Sequence, residues 1–174
     1  MTGRMPHSAR REMVVAMCWT CLLAGLFSQV EIQVEGAAGW AANLPTWRIE
    51  QHWLLDLFFG GRPMTGYHAY ILPFIALFFH FPFCFAVPWT LRRECLVLAC
   101  LITFWIVEDF LWFATNPAFG IGRFDPVFVH WHKHWLWFAP MDYWLFSTIV
   151  VALLAVSCRP AAPRVAQRAA GHPR

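Results

Sequence analysis

The chain has 174 residues, is 59% hydrophobic and 18% aromatic, and carries only 13% charged residues, for a formal net charge of +3. A soluble domain holds roughly a quarter of its residues as charged side chains, so this composition excludes an ordinary soluble fold and points to a membrane. The basic residues form no continuous patch, which excludes a nucleic-acid surface, and at about 20 residues per span no large second domain fits.

Arg4, Arg10 and Arg11 precede an apolar run read as a first span over 13–30. The run passes directly into Glu31 and Glu35, a poor cleavage region, so it reads as a retained helix rather than a removed signal. The stretch LPTWRIEQHWLLDLFFGG predicts a short helix over about 47–59, opened by Pro45 and Thr46 and stopped by Gly60 and Gly61. It is too short and too polar to span. It is expected along the outer interface with Trp47 and Trp53 at headgroup level, the alternative being a lid over the bundle.

A second span is read at 67–87, bent by Pro73 and Pro82, and a third at 96–115, ended by NPAFGIG. The fourth is read at 141–157, after Pro140. The expected fold class is all-α: a polytopic, four-helix transmembrane bundle over 1–158 with a short outer interfacial helix, then a disordered basic tail at 159–174. Four spans put both termini on one side, together with Arg92 and Arg93. The other side holds only Arg48, Arg62, Arg123 and Lys133. The positive-inside rule then makes both termini cytoplasmic, and a bacterial inner membrane is expected. The cysteines fall toward the inner side, leaving no outer disulfide framework.

Depth brings the unusual residues together. At about 1.5 Å per helical residue, Glu31, His68, Glu108, Asp109 and Asp142 fall in one outer layer, with His130, His132 and His134 in the connection before the fourth span. Glu108 lies inside the boundary and needs compensation, while Asp109 points about 100° away around the helix. These two are the candidate catalytic carboxylates. In HWHKH, a helix would put His130 and His134 on one face, whereas an extended chain would point all three histidines the same way.

Imidazole with carboxylate suits Fe, Cu or Zn, and the expected ligands are His130, His132, His134, Glu108 and His68, with Glu31 and Asp142 beside them. Plainer roles remain open: an ion pair for Glu108, a solvated tract for the histidines, a helix cap for Asp142. His80 lies toward the inner side, and haem is not expected there. Cys18 and Cys21, in CWTC, lack the strand-to-helix context that activates a redox pair. The HWHKH tract resembles the short histidine boxes of membrane desaturases and hydroxylases, a family that carries more such boxes and faces them to the cytosol.

Three functions follow. The first is a membrane metalloenzyme acting on a lipid or small hydrophobic substrate at the outer interface. The second is a metal-binding or assembly subunit working with other membrane subunits. The third is proton or cation transport by an oligomer.

Overall fold

The computed structural model describes residues 7–159. Arg4 and the predicted tail from residue 160 onward lie outside them. The chain is mostly helical, in keeping with the all-α class. Two helices, Ala9–Glu35 and Leu91–Thr115, are long and apolar enough to cross a membrane, and Met141–Ser157 is a shorter apolar helix.

The first helix, α1, runs over His7–Glu35. It ends where Gly36 adopts φ 65° and donates its N–H to Ile32 O at 2.9 Å, a left-handed stop that glycine takes without steric cost. The predicted interfacial helix is shorter than expected. Arg48–Ile49 (β1) pairs antiparallel with Met64–Thr65 (β2), and only Trp53–Phe58 (α2) is helical. The bridge draws Trp47 and Arg48 into extended backbone.

Helix α3 (Gly66–His80) follows, capped by Thr65 Oγ1, which accepts His68 N–H at 3.2 Å. Pro73 is accommodated inside it, but Pro82 does more than bend the predicted span. It sits at the first position of a separate turn, α4 (Pro82–Phe85), because a proline has no N–H to continue the ladder. Helix α5 (Leu91–Thr115) begins five residues before the predicted third span, with Thr90 Oγ1 accepting Arg93 N–H at 3.3 Å. A 3-10 turn at Ile121–Arg123 and a tight hairpin, Trp135–Leu136 (β3) with Ala139–Pro140 (β4), lead into α6 (Met141–Ser157).

Side-chain bonds fix the helix directions. Gln29 Nε2 donates to Thr115 Oγ1 at 2.7 Å, so α1 and α5 run parallel and end together. Tyr67 meets Glu31, and His80 Nε2 lies 3.0 Å from Glu94 Oε1, so α3 runs opposite to both. The guanidinium of Arg92 donates twice to Ser157 O, at 2.9 and 3.0 Å, so α6 is antiparallel to α5. Helix α5 is central, packed between α1 and α6.

The polarity of this bundle is inverted relative to a soluble protein. Thr20, Ser28, Glu31, Glu35, His68 and Glu108 are buried, while Trp19, Leu22, Leu26 and Val30 of α1 form an exposed stripe at helical spacing. Tyr70, Phe74 and Leu77 do the same on α3.

Asn116 locks the site end of the bundle. Its Nδ2 donates to Gly36 O at 2.8 Å and its Oδ1 accepts Ala118 N–H at 2.9 Å, so one buried side chain ties the end of α1 to that of α5. Asn116→Ala removes both bonds and leaves Gly36 O and Ala118 N–H to partial solvation, at about 0.5–1.5 kcal/mol each. We expect a loss of about 1–3 kcal/mol in reversible unfolding in mixed micelles; a loss below about 0.5 kcal/mol would show that the lock contributes little.

Candidate functional site

Where α1 and α5 finish and α3 and α6 begin, all four helices and three connections enclose a cavity of about 380 Å³. Its rim is polar and its floor is not. The floor is built from Leu72, Leu101, Ile102, Trp105, Ile106 and Phe146, running along α5 toward the middle of the bundle.

One polar wall is a compensated charge network. His132 is buried, with Nε2 at 3.3 Å from Asp109 Oδ2 and Nδ1 at 3.4 Å from Asp142 Oδ2. Arg62 Nη2 donates to Asp142 Oδ2 at 2.8 Å, Arg62 Nε donates to Phe59 O at 3.0 Å, and the Tyr143 hydroxyl donates to Asp109. Burial disfavours the imidazolium of His132 and Arg62 opposes it, yet Asp109 and Asp142 outweigh both and hold this imidazole above its ordinary value.

The facing wall is acidic and, among the described residues, has no such cation partner. Tyr67 Oη donates to Glu31 Oε1 at 2.7 Å, and Ala41 N–H donates to Glu35 Oε1 at 2.6 Å. The second bond depends on backbone strain, because Trp40 (φ 56°) and Ala41 (φ 51°) are both left-handed. Such positions cost on the order of 1–3 kcal/mol each and persist only when their surroundings demand them. Here the turn lays the Trp40 indole on the His68 ring, 3.9 Å between centroids at 17°, with the Arg62 guanidinium 4.4 Å from the indole centroid. Trp40 therefore joins the two walls. His68 Nδ1 is held by Thr65 Oγ1 at 2.7 Å.

Two polar atoms at this site have no hydrogen-bond partner among the described residues. Glu108 is 3% exposed with Oε1 unpaired, and Trp112, one turn further along α5, is 4% exposed with Nε1 unpaired. Both residues line the cavity.

Of the residues expected to share a site, Glu31, His68, Glu108, Asp109, His132 and Asp142 all border this cavity. His130 and His134 do not, and both are exposed. The HWHKH tract is neither helix nor strand. A turn closed by His132 N–H to Val129 O at 3.3 Å sends His132 inward alone, while Trp131 stacks on Phe113 at 5.7 Å. Both nitrogens of His132 face carboxylates. Among the described residues no group of three or more His, Cys, Asp or Glu side chains is placed to hold a metal ion.

Sequence reasoning passed over Arg62, Tyr67, Trp40, Trp112 and Tyr143 as site residues, and read Glu35 only as part of a poor cleavage region. Glu35 stands four residues after Glu31 and so shares its helix face, a signal that was available. Arg62 between Gly61 and Pro63 carries no spacing signal at all.

A raised folded-state pKa sets the sign of the pH dependence of His132. Its contribution is fully present below the ordinary imidazole value of about 6.5 and is lost as pH rises through the higher folded value. Thermal midpoints measured from pH 5.5 upward should fall across that window in the parent chain and stay flatter in His132→Gln, which also loses about 2 kcal/mol at the acid end. Identical slopes would remove His132 as the titrating group.

No family model, no curated protein and no solved structure matches the chain, so its function has to be argued from the geometry of this cavity.

Proposed function

We propose that the chain is an integral membrane protein that takes the head of a lipid or small hydrophobic molecule into a His/carboxylate cavity at the outer side of the bilayer and acts on it by proton transfer. The observation that carries this reading is the division of one cavity into an acid-lined, aromatic upper part and an apolar floor beneath it. An amphiphile has the same division.

Membrane residence is supported by the inverted polarity of the bundle, since water-facing helices do not bury glutamates and expose stripes of Leu, Val and Phe. The four spans are then α1, α3 continued by α4, α5 and α6. Helix α6, with 17 residues, is at the short end of the spanning range of about 17–25. The charge asymmetry keeps both termini cytoplasmic, in a bacterial inner membrane.

The chemistry proposed for the head rests on Asp109, His132, Asp142 and Tyr143, a linked set of proton donors and acceptors within 3.4 Å steps. Arg62 positions this set and balances Asp142. Glu108, within hydrogen-bonding reach of Glu31 and with Oε1 unpaired among the described residues, is the carboxyl that meets a ligand. A metal centre at His130, His134 and Glu108 does not enter this reading, because those histidines sit on the surface and Glu108 in the cavity.

Transport is less well supported. Ala24, Ile75 and Phe104, packed with Phe27, Phe79 and Leu101, form an apolar layer between the cavity and the His80–Glu94 pair at the other end. The described residues give no continuous polar route across it.

Two experiments test the proposal. In a variant without native cysteines, Lys133→Cys should react with a membrane-impermeant maleimide added outside intact cells; labelling only after permeabilisation reverses the orientation. Native mass spectrometry of the chain extracted in its own lipid should find a bound amphiphile, lost at least fivefold in Ile102→Trp, which fills the floor. His132→Gln should retain a molecule of the same mass that differs from the parent chain's in fragmentation, because proton transfer changes connectivity and not mass. Identical fragmentation in both chains makes this a binding protein, and no bound amphiphile in either removes the reading.

A further inference from the structure

Resting on the reading of the cavity as an amphiphile site, we infer that the head it takes is a neutral hydroxyl, seated between Glu108 and Trp112: the substrate class is a long-chain or lipid alcohol. The two unpaired atoms, Glu108 Oε1 and Trp112 Nε1, belong to nearly fully buried side chains on the same face of α5. Four residues apart, they lie one above the other on the helix and line the same cavity, so a head seated there lies beside both.

The chemistry of the pair selects the head. An indole N–H only donates, so its partner must accept. An ammonium has three donors and no acceptor, and leaves Trp112 unsatisfied. A carboxylate or phosphate accepts from Trp112 but has no proton to give an ionised Glu108, and Arg62 and His132, the cationic side chains among the described lining residues, are committed to Asp142 and Asp109. A hydroxyl has one donor and two lone pairs. It accepts from Trp112 and pairs with Glu108 whether that carboxyl is ionised or protonated.

The floor fits the rest of such a molecule. From Glu108, the residues Trp105, Ile102 and Leu101 descend one side of α5 for about 10 Å, giving an alkyl chain an apolar track below a head held at Glu108.

The test is equilibrium binding of tritiated dodecan-1-ol, dodecylamine and dodecanoate at pH 7 to the full chain in phosphatidylcholine nanodiscs, with empty discs subtracted. The alcohol should bind at least tenfold tighter than either charged analogue. Glu108→Gln retains an acceptor and a donor, so it should keep alcohol binding within about threefold. Glu108→Leu and Trp112→Phe should each weaken it by about fivefold or more. If Trp112→Phe fails to fold, the head-group ranking and the two Glu108 variants still decide.

Tightest binding of dodecylamine, abolished in Glu108→Gln, would overturn the inference in favour of a cationic head. Equal binding of all three probes, blocked by Ile102→Trp, would overturn it while leaving the amphiphile reading intact. No saturable binding of any probe would remove that reading as well.

Discussion

Asp109 is the carboxylate on which the site end of the bundle depends. Its Oδ2 receives the Tyr143 hydroxyl from α6 and faces His132 from the connection before it, so one oxygen sets both the height of α6 against α5 and the inward turn of the HWHKH tract. Through His132 the contact passes to Asp142 and Arg62, and through Arg62 to the Trp40 ring and the strained turn after α1. Bonds of this kind to charged groups contribute about 1.5–3 kcal/mol each, and in a low-dielectric interior they strengthen one another. Removing a partner leaves the buried His132 ring or a half-buried carboxylate uncompensated. The network is therefore coupled more tightly than its distances alone imply.

Behind it lies an apolar support. Ile32, Trp112, Phe113 and Val129 form a buried cluster against which Phe119, Phe124 and Trp131 pack, holding residues 116–135 on the ends of α1 and α5. The fit is close enough to dictate a residue type: a Cβ at Gly39 would run into the Trp131 ring. That glycine is what lets the turn after α1 approach the tract carrying His132. Polar network and aromatic cluster thus constrain the same loop from two sides, and loops over a site need such reinforcement to hold side chains in fixed geometry.

The helices were legible because a spanning or core helix must be apolar over its whole length, and Met13–Val30, 96–115 and 141–157 are. The shared depth of Glu31, His68, Glu108, Asp109 and Asp142 was legible for the same reason, since depth follows from helix direction and rise. Azimuth does not follow from depth. Which of three alternate histidines turns inward was decided by a turn at Val129–His132 and by the stacking of Trp131 on Phe113, long-range contacts with no local signature. The β1–β2 bridge was missed because two residues of backbone pairing leave no periodicity, and Trp40 and Ala41 were missed because nothing in their side chains announces a positive φ. Pro82 was correctly seen as a perturbation, but whether proline bends or divides a helix depends on whether the turn before it closes. Here Phe81 N–H reaches Phe78 O at 3.2 Å and ends α3 first.

The asymmetry between the two walls carries the chemical consequence. Asp109 and Asp142 are matched by His132 and Arg62, so that wall is set without a ligand and can be stable as it stands. Glu31 and Glu35 are held by a phenol and a backbone N–H, and Glu108, within hydrogen-bonding reach of Glu31, keeps Oε1 unpaired among the described residues. Orphaned buried polar atoms are rare because each costs about 1–3 kcal/mol, and the cost is tolerated where function uses the atom. Two of them, one turn apart on the central helix and directly above an apolar track, set the unsatisfied wall apart from the compensated one, and in the proposed function the first meets the ligand and the second moves protons. The apolar layer around Phe104 closes the bottom of this arrangement, so in that proposal both operations occur at one end of the bundle and a ligand enters and leaves by that end or sideways from the lipid.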